Sequence, residues 1–497
     1  MLRAYSTHAV REAEAALMST LDDPGELRAR AARGLAEVCR ARLRASGGTH
    51  VVVLAGPGNN GADALYAAAH LADDGAHCVA LQGSWPLAIG EAGSWEAAGV
   101  RVVGADGDWA AALAGADIVL DAVLGIGGRP GLPDEACAWV DALPPDAYVV
   151  SVDLPSGQDP AGEVAQDNGV FADETVTFGV AKPVHVLPAT EAAVGRLTIV
   201  DIGLDLEGDP AVERLDFADV PRLWPVPHAS DDKYSRGVLG VVAGGEDYTG
   251  APVLCCTAAV GAGLGMLRYV GTPAPTALVR AAVPEAVIGD GRVQAWVVGP
   301  GLDASSWADG SGAQLDVARA ALASDLPVLV DAGGLDLVTG RRAAPTLLTP
   351  HAGELARLLS RLDGDVGDGG DGGSGGDRTT VSREQVQAAP LAHARRAAEL
   401  TGATVLLKGA TTLVVPAEGT VRSQNDAPAW TATAGAGDVL AGICGALLAA
   451  GLSPLDAGSL GALVHGVAAD RANPGGPVRA LALAHAIPGT VAHLLTR

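Results

Sequence analysis

A chain of 497 residues with 48% apolar and only 18% charged side chains has the length for two or three domains and enough apolar surface to bury, which excludes global disorder. Its 33 basic residues stand against 58 acidic ones, a net charge of -25, so phosphate backbones and anionic lipid surfaces are repelled. Neither nucleic-acid nor membrane binding is expected, and an anionic ligand would have to be held by backbone amides, helix N-termini and single cations.

The first twenty residues, MLRAYSTHAVREAEAALMST, mix Arg and Glu in an amphipathic pattern and lack the apolar run of an export signal, so a cytoplasmic location is expected. Short β-branched runs then alternate with Ala-rich helical stretches, the pattern of a parallel sheet with helices on both faces. Strand candidates are Val51 to Leu54, Cys78 to Leu81, Ile118 to Leu120, Tyr148 to Val152, Thr175 to Phe178 and Leu197 to Val200. The alternation breaks in a stretch rich in prolines and acids, giving one domain over 1–210 and a linker over 211–230.

A second alternating series fills 231–497, through GVLGVVAGG, AWVVGPG, LPVLVDAGG, TLLTPH and TVLLKGATTLVV, to a Gly/Ala-rich helix after Thr433. Its uncharged stretch VLAGICGALLAAGLSPL closes on a proline and fits a buried helix better than a membrane span. Residues 363–377, DGDVGDGGDGGSGGD, have almost no apolar side chain and are expected to form a disordered insertion; a calcium-binding roll would need more copies of the repeat. The cysteines at 39, 78, 137, 255, 256 and 444 lack zinc-site spacing and are expected to be reduced thiols in apolar surroundings.

In the first domain, VVVLAGPGNNGADALYAAAHL runs from strand through a Gly-rich turn into a helix. Such a turn lets backbone amides approach a phosphate, although the spacing is not G-x-G-x-x-G and the glycines can equally serve the turn alone. Asn59, Asn60 and Asp63 add oxygen donors suited to a hard cation or to sugar hydroxyls. Two further strands end in the same chemistry: IVLDAVLGIGGRPG in Asp121, and VVSVDLPSGQDP in Asp153 followed by Ser156. Each aspartate alone is a plausible turn former, but ligands in parallel α/β sheets bind beyond the carboxyl ends of the strands, where all three loops should converge.

In the second domain, TATAGAGDVLAGI sets Gly435 and Gly437 before a helix with Asp438 in its first turn. Amides there can support a phosphoryl group while the carboxylate takes a proton from a hydroxyl; alternatively the glycines serve packing and the aspartate the helix dipole. Lys408 follows a strand beside Gly409, Thr411 and Thr412 and either grips a nucleotide phosphate or is a solvated charge. His351 and Glu354 mark a strand-to-helix junction, where the histidine is a site residue or a cap.

GPGNNGADAL, LDAVLGIGGRPG and SVDLPSG resemble the epimerase domain of the bifunctional NAD(P)H-hydrate repair enzymes. DKYSRGVLGVVAGGEDYTGAPVL, VVGPGL, LTPHAGEL, LLKGATT and TAGAGDVLAGI resemble, in order, the family's dehydratase domain, a member of the ribokinase-like superfamily. The resemblance implies a Rossmann-like three-layer α/β domain followed by a ribokinase-like α/β domain. It implies repair of NADHX and NADPHX: epimerisation of their R and S forms, and dehydration of the S form with ADP, giving AMP and phosphate. Carried over, Asn59, Asn60, Gly61, Ala62 and Asp63 would contact the dinucleotide, as would Gly125, Ile126, Gly127, Gly128, Arg129, Pro130 and Gly131. Asn60, Asp121 and Ser156 would bind K+, and Asp153 would sit at the reacting ring as acid and base. Ala251, Gly301, His351 and Asp438 would contact the S hydrate. Lys408, Gly409, Ala410, Thr411, Thr412 and Gly437 would bind the adenine nucleotide with Mg2+, and a homo-oligomer is expected. The sequence departs from the family's pattern at Ala62 and Ala64, where glycines are usual, and at Gly333, Gly334 and Asp336. The alternative is a ribokinase-like kinase of a small hydroxylated metabolite with a nonenzymatic dinucleotide-binding first domain.

Overall fold

The computed structural model describes residues 1–23, 25–86, 94–303, 311–365 and 380–496. They form two compact units, one from Arg3 to Val212 and the other from Glu213 to Arg497 with Met1 and Leu2.

The first unit is built on seven strands, ordered Arg101–Val103, His77–Gln82, His50–Ala55, Ile118–Ala122, Tyr148–Val152, Glu174–Phe178 and Arg196–Val200. Every pairing is parallel. Because side chains alternate along a strand, His50–Ala55 feeds both faces. Val51, Val53 and Ala55 pack with helices Gly25–Ser46 and Asn59–Asp73, whereas Val52 and Leu54 pack with Leu113 and Trp139 of the opposite layer. From His50–Ala55 the chain winds outward to His77–Gln82 and Arg101–Val103, then returns to the other side of the first strand at Ile118–Ala122. The crevice at that reversal is where a doubly wound sheet binds ligands.

The second unit repeats this logic. Its strands run Val421–Gln424, Thr412–Val415, Thr404–Leu407, Thr346–Leu348, Val328–Val330, Ala295–Val298, Val238–Val242, Met266–Val270 and Ala286–Ile288. The first three pair antiparallel and the rest parallel. Helix Ala436–Ala449 is buried along nearly its whole length, as its uncharged sequence led one to expect. It packs on helix Gly250–Gly261 so closely that a methyl at Gly442 would come within 2.2 Å of the Cys255 carbonyl oxygen. No helix among the described residues is long and apolar enough to cross a membrane.

Two expectations need revision. The stretch 211–230 is not a bare linker: Val212–Arg214 is a strand, Val220–Leu223 a helix, and Leu215, Val220 and Trp224 are buried in the second unit's core. Pro221 sits in the first turn of its helix, where its missing N–H costs no hydrogen bond. Of the segment 363–377, residues 363–365 continue helix Ala352–Asp365, and the rest lies outside the described residues, as does the calcium alternative. All six cysteines are free; five are buried, while Cys137 is only half-buried.

Candidate active sites

In the first unit the turn after His50–Ala55 requires glycine for close approach. A methyl at Gly56 would meet the Val123 carbonyl oxygen at 2.0 Å, and one at Gly61 would meet the Gly56 carbonyl oxygen at 2.2 Å. Ala62 and Ala64, by contrast, are accommodated as buried methyls, so the departure there does not disturb the turn. The Asn60 amide donates to the carbonyls of Leu124 (2.9 Å) and Val152 (2.6 Å), tying the start of helix Asn59–Asp73 to the ends of two other strands. It also touches Gly125, where a methyl would come within 2.7 Å of the Asn60 side chain. Asp121 is wholly buried; one oxygen accepts from Ser151 Oγ (2.7 Å) and Ser156 N (2.8 Å), and the other, Oδ1, has no hydrogen-bond partner among the described residues. Burial raises the Asp121 pKa. Arg129, in the loop to Gly131, is exposed.

Asp153 adopts φ +67°, a left-handed conformation uncommon for a residue with a side chain and often found at functional sites. Its Oδ1 accepts from Lys182 Nζ (2.5 Å) and Thr177 Oγ1 (2.9 Å), and Lys182 also donates to Thr177 Oγ1 (2.7 Å). Burial opposes the charge on Asp153, but the Lys182 ammonium outweighs it and holds the carboxyl below its ordinary pKa. His185 Nδ1 accepts from Lys182 N (3.0 Å), so Nε2 carries the proton and donates to the Asp153 carbonyl (2.7 Å). Burial pushes its pKa down to about 4, which keeps the ring neutral. Asp63 goes the other way, pushed up to about 8 chiefly by burial and further by Asp153, so that near neutrality it is mostly a protonated acid. One ionised and one protonated carboxyl group in mutual electrostatic reach form a base and an acid.

The sequence pointed to Asp153 but not to Lys182, Thr177 or His185. The available signal was a lone lysine and histidine inside the apolar run FGVAKPVHVLP, where a charge stays only if it is paired.

In the second unit, Lys408 is the hub. Its Nζ lies 2.8 Å from Asp331 Oδ1 and 3.7 Å from Glu354 Oε2, and Thr349 Oγ1 donates to the same Asp331 oxygen (2.9 Å). Burial lowers the lysine's pKa, but these carboxylates outweigh that effect and raise it. A methyl on Gly437 would sit 3.4 Å from Lys408 Nζ, so the GAGD turn faces the ammonium. Gly435 opens that turn at φ +90°, and Asp438 follows in the first helical turn. Burial, and then Asp331, push Asp438 up to about 7.

His351 is drawn to Lys408 by an isolated parallel bridge and also caps its helix: Nδ1 accepts from Gly353 N (3.1 Å), while Glu354 Oε2 accepts from His351 N (2.8 Å). The capping role is thus present, in a residue that lies beside Lys408. Gly409 and Ala410 are exposed between strands Thr404–Leu407 and Thr412–Val415, whereas Thr411 is buried. Gly301 lies against Ala251, a methyl there coming within 2.8 Å of Ala251 Cβ. Asp331 went unremarked in the sequence, although VLVDAGG ends a strand in aspartate just as the two first-domain motifs do.

His465 also supports the turn. It is buried and neutral, its pKa pushed down to about 4 by burial, and its Nε2 lies 2.9 Å from the Ala436 carbonyl. Replacing His465 by Phe removes that hydrogen bond while filling the space. The expected result is a turnover at this site lowered roughly tenfold, with Gln in its place recovering part of it, as judged by steady-state kinetics.

Residues 239–488 match the family model described as NAD(P)H-hydrate dehydratase, and residues 25–184 match that of the YjeF-related protein N-terminus. A bifunctional NAD(P)H-hydrate repair enzyme of Mycobacterium leprae is 42% identical over 492 residues, covering 95% of this chain and 94% of its own. The chain belongs to the bifunctional NAD(P)H-hydrate repair enzyme family. A Mycobacterium tuberculosis member is 43% identical, with 90% of this chain and 89% of its own covered. The second unit is also similar to a solved Bacillus subtilis structure described as an ADP/ATP-dependent NAD(P)H-hydrate dehydratase co-crystallised with ATP and Mg2+. There the identity is 23%, the coverage 57% of this chain and 99% of that one, and the TM-score 0.49. Within this bifunctional family, the alternative of a metabolite kinase with a nonenzymatic first unit is not favoured.

Proposed function

We propose that the first unit interconverts the R and S epimers of NADHX and NADPHX, and that the second removes water from the S epimer with ADP as phosphoryl donor. The observation that carries this reading is the pairing of two strand-end acidic sites, Asp153 with Asp63 and Asp438 with Lys408, within one chain aligned nearly end to end with a bifunctional relative.

Inverting C6 requires breaking and re-forming its bond to oxygen or to the ring nitrogen. Asp63, protonated, would give a proton to the departing group, and Asp153, ionised, would take one from the water or hydroxyl that returns. In the second unit Asp438 would take the C6 hydroxyl proton as that oxygen attacks the terminal phosphorus of ADP. AMP leaves, with Lys408 and the amides of the Gly435 to Asp438 turn supporting the phosphoryl charge. The phosphate then departs with the C6–O electron pair, and loss of the C5 proton restores the ring double bond.

Asp121 Oδ1, which has no hydrogen-bond partner among the described residues, together with the oxygens of Asn60, Ser156 and Leu124, residues hydrogen-bonded to one another beside Asp121, makes an oxygen-rich donor set that suits K+. Those residues would hold the ion, whose positive charge would favour binding of an anionic dinucleotide. Mg2+ is commonly carried on nucleotide phosphates with several of its waters, and Asp331 and Glu354 are the carboxylates nearest Lys408 that would face it.

The test supplies mixed epimers to the full chain with or without ADP, ATP, Mg2+ and K+. Full recovery of absorbance at 340 nm from both epimers with ADP and Mg2+, slowed for the R epimer when K+ is replaced by Na+, is expected. Failure to consume either epimer with any nucleotide would refute the reading.

A further inference from the structure

Two arginines from the N-terminal helices reach the glycine-rich loops of the first unit, in a molecule that otherwise offers little positive charge. Arg11, on helix Thr7–Thr20, donates from its guanidinium to the Ile126 carbonyl at 2.6 Å, and a methyl on Gly127 would lie 3.2 Å from the same nitrogen. Arg28, on helix Gly25–Ser46, donates to Asn59 Oδ1 at 3.2 Å and approaches Asp63 at 3.5 Å. The two loops meet at Asn60 and Gly125, so a guanidinium stands beside each loop of one junction.

We infer that Arg11 and Arg28 anchor a phosphate group of the hydrated dinucleotide over the first unit's glycine-rich loops, and so determine how tightly the epimerase site takes its substrate. This rests on the epimerase reading above.

The anion must bind against a net charge of -25, so cations placed locally have to supply the attraction. A guanidinium offers a fixed fork of donors that matches phosphate oxygens, and neither arginine has its whole fork engaged: Arg11 donates to a neutral carbonyl, and Arg28 donates to a neutral amide oxygen beside its ion pair with Asp63. The carboxyl paired with Arg28 is Asp63, at 3.5 Å; burial disfavours the charge on Asp63 while Arg28 favours it, so an incoming phosphate competes with a weakened partner for the guanidinium. Helix Asn59–Asp73 begins at the same place, and its first-turn amides point the same way as the arginine charge.

The test follows conversion of purified R epimer to S by the full chain without adenine nucleotide, for wild type, Arg11→Gln, Arg28→Gln and Arg28→Lys. NADHX, NADPHX and the hydrated mononucleotide serve as substrates. Each glutamine variant is expected to raise KM for both dinucleotides roughly tenfold, to change kcat less than about twofold, and to weaken the dependence of kcat/KM on salt. Arg28→Lys should fall between. A smaller effect on the mononucleotide assigns the contact to the diphosphate, and an effect confined to NADPHX assigns it to the 2'-phosphate; both support the inference. Unchanged KM in both glutamine variants with wild-type exchange intact overturns it alone, whereas absence of exchange in wild type overturns the epimerase reading with it. Thermal melting of each variant confirms that a raised KM reflects binding, and a loss in kcat at unchanged KM also counts against the anchoring role.

Discussion

Asp438→Asn is expected to lower dehydration of the S hydrate by a factor of about 10² to 10⁴, the range typical for loss of a general base, while R-to-S exchange continues. The size follows from the position of the carboxylate: it sits in the first turn of helix Ala436–Ala449, directly after the Gly437 that faces Lys408. Because burial and Asp331 push Asp438 up to about 7, the base is half-protonated near neutrality. The rate should therefore rise with pH through about 7 and level off above it. Asp331→Asn removes the repelling charge, so the Asp438 pKa falls and the rising limb moves to lower pH. The same change frees Lys408 from its 2.8 Å partner, so the nucleotide KM should also shift. A profile of kcat/KM against pH for both variants decides the matter: a limb that stays in place in Asp331→Asn would rule out Asp438 as the titrating group.

The second large effect is expected at the Asp153 and Lys182 pair. Asp153→Ala should cut R-to-S exchange at least about 100-fold, so that only the S half of a mixture is dehydrated quickly. Lys182→Met is more informative because it leaves the carboxylate in place. With the ammonium gone, burial dominates and the Asp153 pKa rises, so exchange should be lost at neutral pH and partly regained as the medium becomes alkaline. Stability should change as well. In the wild type the lowered Asp153 pKa contributes stability above the unfolded carboxyl value of about 3.9, which fades as pH falls through the lower folded value. Removing one member of a buried pair typically costs about 3–5 kcal/mol, so a clearly lower melting temperature is expected at pH 7. Exchange in Lys182→Met that follows the wild-type pH profile would refute the role given to the lysine.

Much of this architecture was legible because buried parallel strands are short unbroken runs of Val, Ile and Leu. Tyr148–Val152 was expected at its observed limits, and His50–Ala55 within one residue at each end. Arg101–Val103 was missed because a three-residue strand at the edge of the sheet carries little pattern. TVLLKGATTLVV held two strands rather than one, since the hairpin at Gly409 and Ala410 reverses the chain. Asp121 and Asp153 were found by a local signature, a strand ending in Asp a few residues before a glycine or serine, and Asp438 by the glycine-rich turn at a helix start. Lys182, Arg11 and Arg28 have none: Lys182 meets Asp153 across 29 positions, and Arg11 meets Ile126 across 115, so only the folded sheet brings them together.

Where the chain is cut will matter to anyone wishing to express its halves. Leu215, Val220 and Trp224 belong to the core that follows them, and each fully buried apolar side chain is worth about 1.5–3 kcal/mol. A fragment started after the proline-rich stretch would lose this plug and expose the floor beneath it, while the complementary fragment would trail a greasy, sticky tail. Beginning the downstream fragment at Glu213 keeps plug and floor together.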